Sequence, residues 1–519
     1  MKTIPIIDLF AGPGGLGEGF SRYQSDQSRF EIKLSIEKDK YAHETLLLRS
    51  FTRQFKEKLP KEYYSFIMEN DLNKKATKKE KLFEVYKEQY QKASTEAWNA
   101  ELGNQKFPNE LVDQRIHEKI KNTSEWILIG GPPCQAYSLI GRSRVGGIDE
   151  KDNRVYLYKE YLRIIAKHQP SVFVMENVRG LLSAKVNDKS VFQLILKDLK
   201  NPARVYKTYN TPQYKIYSLV NKPDGFTQKG EPLFSKNKDF LIECEKYGIP
   251  QRRHRVILLG VRNDIQYQPE QLMFSEKAIC ISDVICDLPA LRSGIGRKFN
   301  RKKSDYYSET DSFRNWIKTI TKYSTQLKEH NEKLAELDID KLKTKNLTRG
   351  AEFISGKFSS NQNPLKTWYS DKNLKGVCNH KTRTHLDHDL RRYLISTLYA
   401  KKHKRFPRLS DVAELDPKFL PNHTNAKSGK FNDRFRVQLE HEPATTITSH
   451  ISKDGHYYIH YDPYQCRSLT VREAARIQTF PDNYFFCGPR TAQYQQVGNA
   501  VPPYLAHQIA DLVSKIFVI

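Results

Sequence analysis

The sequence predicts an α/β protein of two to four domains, with a doubly wound parallel sheet at its core. Three observations predict this. Short apolar runs rich in β-branched residues recur through the first half of the chain. Helical patterns lie between them, and that alternation is the mark of a doubly wound sheet covered on both faces. A strongly basic stretch then breaks the alternation before the chain returns to apolar, folded character.

The first strand is read at Ile4–Phe10. It runs into DLFAGPGGLGEGF at 8–20, which opens a helix. Glycines there permit a sharp turn and close approach of the backbone to a ligand, although an ordinary turn has the same look. The second strand, Ile32–Ile36, ends in Glu37, 22 residues after Gly15. An acidic side chain at that point accepts hydrogen bonds from ribose hydroxyls. The loop lacks the GK[ST] of a Walker loop, and its glycines are read as a turn for S-adenosylmethionine rather than for NAD or ATP.

Residues 52–122 carry 15 Lys and Arg against 12 Asp and Glu. They read as an inserted helical segment. The next strand, Trp126–Ile129, enters GGPPCQAYS at 130–138. Two prolines stiffen a loop at the carboxyl edge of the sheet and aim the Cys134 thiol, a candidate nucleophile; a buried structural cysteine is the alternative. A helix at Tyr156–Lys167 presents Leu157, Tyr161, Leu162, Ile164 and Ile165 to one side and stops before Pro170. Val172–Met175 then delivers Glu176 in ENVRG at 176–180, where a carboxyl can serve a base ring nitrogen; a helix N-cap network around Asn177 is the alternative. QRRHR at 251–255 precedes the strand Val256–Leu259 and puts Arg253 and Arg255 on one face, suited to a phosphate or a base carbonyl, or to plain solvation.

The chain has 519 residues, with 86 Lys and Arg against 60 Asp and Glu, a surplus of 26 positive charges. Residues 292–408 hold 28 Lys and Arg against 12 Asp and Glu, so a surplus of 16 sits there. A polyanionic partner, most simply nucleic acid, is expected to meet that stretch. Seven cysteines without a CxxC pair argue against a disulfide framework. No apolar run approaches the ~20 residues of a membrane span, and the N-terminus lacks signal-peptide features. Cys378, His380, His385 and His388 lie close together in CNHKTRTHLDH, but their spacing fits no strong zinc pattern, so no metal is expected.

In combination these motifs resemble the cytosine-specific (carbon-5) DNA methyltransferases. The similarity rests on DLFAGPGGLGEGF, Glu37, GGPPCQAYS, ENVRG and QRRHR, followed by RSLTVREAARIQTFPD at 467–482 and QVGNAVPP at 496–503. It spans nearly the whole chain outside 52–122 and 292–440. The resemblance implies a Rossmann-like, S-adenosylmethionine-dependent methyltransferase core with a smaller target-recognition domain. It implies a cofactor-binding domain at 1–292, a target-recognition domain at 293–490, and a return at 491–519 that completes the first. Cys134, Glu176 and Arg253 are implied as catalytic residues. Phe10, Ala11, Gly12, Pro13, Gly15, Glu37, Pro133, Asn499, Ala500 and Val501 are implied around the cofactor. Asp71 is the nearest candidate for the acidic residue that this family carries after its third strand.

The implied activity is methyl transfer to carbon 5 of a flipped cytosine in a specific duplex, within a restriction-modification system. A cognate restriction endonuclease is the implied partner, a monomer the default state, and the prokaryotic cytoplasm, on the nucleoid DNA, the implied location. Methylation of RNA cytosine, or a catalytically silent DNA-binding regulator, are the alternatives.

Overall fold

The computed structural model describes residues 1–55, 58–121, 123–133, 153–186, 188–296, 298–300, 305–307, 310–330, 332–358, 362–420 and 434–518. The chain forms two compact units. The first joins Met1–Lys58, Tyr86–Lys277 and Ala500–Ile519; the second joins Leu59–Val85 and Ala278–Asn499.

The first unit is built on an eight-stranded sheet. Its strands are β1 (Lys2–Leu9), β2 (Ser28–Glu37), β3 (Ala97–Asn99), β4 (Ile127–Gly130), β5 (Val172–Val178), β6 (Tyr214–Tyr217), β7 (Leu241–Glu243) and β8 (His254–Arg262). The order is β7-β8-β5-β4-β1-β2-β3, and β6 also pairs with β8. The run from β3 to β5 is parallel, while β8 pairs antiparallel with β5, β6 and β7. Strand order reverses between β1 and β4, and a crevice for ligands opens at such a point.

Alternation along the strands sends neighbouring side chains to opposite faces. Ile7, Leu9, Leu128 and Met175 pack on one side with the helix Asn153–His168, whose Tyr161, Leu162, Ile164 and Ile165 are all buried. Ile6, Ile129, Val174 and Ile257 pack on the other with the helices Gly15–Arg22 and Pro503–Ser514. The last two helices lie close enough that a Cβ on Gly19 would sit 2.4 Å from the Ala506 Cβ. The C-terminal segment is therefore part of the core that the N-terminal strand begins.

The 52–122 segment differs from the helical insertion read in the sequence. It contains β3, which extends the parallel sheet beside β2. Three residues are too few to show a strand period. Its part Leu59–Val85 groups with the second unit instead. There the Tyr63 hydroxyl donates to the Asn483 carbonyl at 2.8 Å and that of Tyr64 to Asp371 at 2.7 Å. The Asn70 amide pairs with both backbone groups of Phe353, at 2.8 and 2.9 Å, as a strand residue would.

The core of the second unit gathers Trp316, Ile320, Leu390, Tyr393 and Leu394 from the helices Phe313–Leu327 and Asp387–His403. RSLTVREAARIQTFPD acts as its internal frame. Arg467 grips Glu473 through two bonds of 2.7 and 2.6 Å, and Thr470 and Glu473 close a capping box on the helix Val471–Ile477. Arg472 donates to the carbonyls of Cys378, Pro481 and Tyr484. His380 is hydrogen-bonded to Thr470 and to the Pro289 carbonyl, and the Cys378 thiol donates to the Ile67 carbonyl. Among the described residues, no three His, Cys, Asp or Glu side chains are placed to hold a metal ion, and no helix is long and apolar enough to cross a membrane.

Candidate functional site

The glycine-rich loop leaves the carboxyl end of β1 in an unusual backbone path. Phe10 has φ 56°, Gly12 φ 57° and Gly14 φ 96°. Positive φ is easy for glycine and uncommon for phenylalanine, so Phe10 is held there by its surroundings. The loop is tied to the end of β2. Ala11 N donates to the Ile36 carbonyl at 3.1 Å, and Gly12 N donates to Glu37 Oε2 at 2.8 Å. Asp39 N donates to Glu37 Oε1 at 2.7 Å. Burial raises the Glu37 pKa, and these backbone donors oppose that rise. Glu37 thus shapes the loop with the carboxylate that would also accept ribose hydroxyls.

Beside it, at the carboxyl ends of β2 and β3, lies an open polar cleft of ≈ 480 Å³ lined by Lys38, Asp39, Asn99, Glu101, Asn104 and Phe107 among others. The other side of the loop has no spare room. A Cβ on Gly15 would lie 2.3 Å from the Val501 carbonyl oxygen and 3.3 Å from the Ala500 Cβ. The QVGNAVPP return therefore backs the loop directly through Ala500 and Val501. Asn499 ends the helix Arg490–Asn499 and is exposed.

Asp71 does not follow a strand of the sheet, and its assignment from the sequence is corrected. Its Oδ1 accepts from Lys74 N at 2.9 Å, at the start of the helix Leu72–Val85 in the second unit. The third strand ends at Asn99, and the acidic side chain that follows it is Glu101, paired with Lys38 at 2.9 Å.

The neighbouring strand ends bring together the second group of residues. Glu176 lies within β5, opposite Ile257 of β8. Arg255 stands two residues away on the same face, and its Nε lies 2.6 Å from Glu176 Oε1. A Cβ on Gly131 would come within 2.9 Å of Glu176 Oε2, so glycine just past β4 lets the carboxylate meet the loop that carries Cys134. Pro133 is the last described residue of that loop, and Cys134 lies outside the described residues. Arg253 is only 1 % exposed. Of the two arginines read as sharing a face, Arg255 pairs with Glu176.

One further acid lies under the loop. Asp8, the penultimate residue of β1, is fully buried, and neither carboxylate oxygen has a hydrogen-bond partner. A Cβ on Gly17 would be 3.1 Å from it. Burial pushes its pKa up to about 8, against the lowering effect of Arg53. The folded protein thus keeps this proton up to about pH 8, whereas the unfolded chain loses it near the ordinary value of 3.8. Folding stability from this group is full below the lower value and falls as pH rises to the upper one. Replacing Asp8 by Asn removes the proton linkage. The melting temperature of the variant relative to wild type is expected to climb between about pH 4 and about pH 8. A difference that stays flat across that range, by scanning calorimetry, refutes a buried protonated Asp8.

The comparisons with known proteins follow the same line. The sequence profile of the C-5 cytosine-specific DNA methylase family matches residues 74–219 and 236–515. The chain is 33% identical over 529 residues to the type II methyltransferase M.Bpa9945I of Bacillus paralicheniformis, covering 98% of each chain. It is 26% identical over 528 residues to the type II methyltransferase M.DdeI of Desulfomicrobium norvegicum, covering 99% of this chain and 89% of that one. It is 26% identical over 411 residues to the DNA (cytosine-5-)-methyltransferase M.ApeKI of Aeropyrum pernix, covering 75% and 81%.

Proposed function

The chain belongs to the C-5 cytosine-specific DNA methylase family and is an S-adenosylmethionine-dependent DNA cytosine methyltransferase, and from that premise we propose how its own residues carry out the transfer. The observation that carries the reading is the meeting of Glu176 with Arg255 at the sheet edge, beside the Gly130–Pro133 approach to Cys134.

The residues present fit the cofactor. Glu37 offers a carboxylate at the end of β2, Gly12 and Gly14 hold a turn that other side chains resist, and the cleft beyond β3 is polar and open. Phe10, Ala11, Gly12, Pro13 and Gly15 would line the donor, with Pro133 from the catalytic loop and Asn499, Ala500 and Val501 from the return. Glu101 takes the place first given to Asp71. When bound, S-adenosylmethionine supplies an electrophilic methyl group.

Carbon 5 of cytosine is a poor nucleophile. Addition of the Cys134 thiolate to carbon 6 raises electron density at carbon 5, where the methyl group is taken up. Glu176 holds the exocyclic amine and ring nitrogen 3, which favours that addition. Arg255 fixes the Glu176 carboxylate, and Arg253 and Arg255 together serve the base carbonyl. Loss of the carbon-5 proton and of the thiolate restores the aromatic ring. Carbon 6 is inaccessible within a duplex, so the target base is flipped out. Residues 293–490 read the DNA, and the boundaries at 277/278 and 499/500 support that division. The enzyme works as a monomer, as the modification half of a restriction-modification system whose endonuclease cuts the same site.

Plasmid incubated with the purified protein and S-adenosylmethionine is expected to carry 5-methylcytosine at one short fixed sequence, read by bisulfite sequencing. A diverse plasmid left unmethylated sinks the proposal. Glu37→Gln is expected to weaken S-adenosylmethionine binding roughly ten- to a hundredfold, because hydrogen bonds to a charged group are lost on both the ligand and the loop. Titration calorimetry checks this, and an affinity within about twofold of wild type would place the ribose elsewhere.

A further inference from the structure

The KTRT portion of CNHKTRTHLDH gathers positive charge in the second unit. The Thr382 carbonyl oxygen accepts from Arg349 Nη2 at 3.1 Å and from Arg490 Nη1 at 2.9 Å. Two guanidiniums thus meet on one neutral oxygen. Arg349 Nη2 also donates to Thr384 Oγ1 at 3.0 Å. A third guanidinium, Arg383, lies 4.4 Å from the ring centre of Tyr494, one turn along the helix from Arg490. It is anchored on the carbonyls of Lys453 and Ile451, each at 2.7 Å.

Carbonyl anchors orient these groups without cancelling their charge. Asp311 is the carboxylate bonded to Arg349, at 2.6 Å, and it is shared with Arg292 at 2.6 Å. Glu352 stands near Arg490 and offsets part of the rest. Burial together with the Arg383 and Arg349 charges holds the Arg490 pKa below its ordinary value. Gly294 leaves space for Arg349, since a Cβ there would lie 2.6 Å from its Cζ. Like charges brought together on fixed mounts repel, and an anion placed between them removes that cost. Both Arg349 and Arg490 keep part of their surface in solvent.

We propose that Arg349 and Arg490 form a clamp for one phosphodiester of the duplex, with Arg383 as a fixed positive backing. The proposal rests on the DNA methyltransferase reading and adds a backbone contact that carries no sequence information. Planar guanidiniums held in fixed orientation suit bidentate phosphate binding better than a mobile lysine does.

The test uses the full chain and a labelled duplex containing the methylated sequence, with affinity measured by fluorescence anisotropy over a range of salt. Arg490→Gln is expected to weaken binding about tenfold, equally for target and unrelated duplexes, and to lower the salt slope by about 0.9. Arg490→Lys keeps the charge and is expected to keep most of the slope, which separates charge from a folding defect. Gly294→Ala displaces Arg349 and is expected to lower the slope as Arg490→Gln does. An unchanged slope in both Arg490→Gln and Gly294→Ala overturns the clamp, as does a loss confined to the target sequence, which would mean base reading. Competition by inorganic phosphate beyond a chloride control of equal ionic strength overturns the duplex assignment in favour of a free-anion site. Plasmid methylation by the wild-type protein is scored separately, so failure of the clamp and failure of the methyltransferase reading are distinguishable.

Discussion

Cys134→Ala is expected to lower methyl transfer by at least about 10³-fold, because the only route to an activated carbon 5 begins with that thiolate. Cofactor and DNA affinities are expected to stay near wild type, since the substitution removes a single sulfur atom. The diagnostic measurement is trapping. A duplex with 5-fluorocytosine at the target position has, after methyl transfer from S-adenosylmethionine, no carbon-5 proton to lose, so the thiolate is not eliminated and the adduct to the enzyme persists. Wild-type protein should run as a covalent DNA complex on a denaturing gel, and Cys134→Ala should not. Equal trapping by the variant removes Cys134 from the mechanism.

Glu176→Gln is expected to cost about 10²- to 10⁴-fold in turnover, the usual range for a positioned proton-handling side chain. Two effects add. The amide no longer matches the hydrogen-bonding pattern required along one edge of cytosine. The variant also leaves the Arg255 guanidinium, 2.6 Å away in wild type, without its carboxylate. The second effect predicts a stability loss of about 1–3 kcal/mol in Glu176→Gln. Arg255→Lys separates the two: it preserves a positive charge but not the planar fork, so it should cost less in stability than in turnover. Stopped-time methylation assays beside melting curves give both numbers, and a variant at wild-type turnover would dismiss Glu176 as a participant.

Much of the site was legible because its signals are local. Glu37 was found from an apolar run ending in an acidic residue at the right distance from a glycine loop, and its carboxylate indeed sits on that loop. The five strands read from the sequence all lie within strands of the sheet, give or take a residue at their ends. What could not be read depends on register or on distance along the chain. Arg255 reaches Glu176 because β8 runs antiparallel to β5 in one particular alignment. Nothing in QRRHR fixes that alignment. The third strand, Ala97–Asn99, is too short to announce itself in the sequence, so the acidic residue that follows it is not legible there. Asp8 breaks the expectation that a buried acid has a partner, and only the folded surroundings reveal it.

The contact between Gly15 and Val501 also has a consequence in time. Ribosomes make the glycine loop long before the Ala500–Val501 segment that backs it. A nascent chain that has emerged only as far as the second unit holds every β-strand of the donor site but not the wall behind it. Closure across such a long stretch of chain is entropically slow, so assembly of the donor site is set by the arrival and docking of the backing segment. A stalled or clipped chain lacking the residues after 499 would thus carry its catalytic motifs without a finished place for the methyl donor.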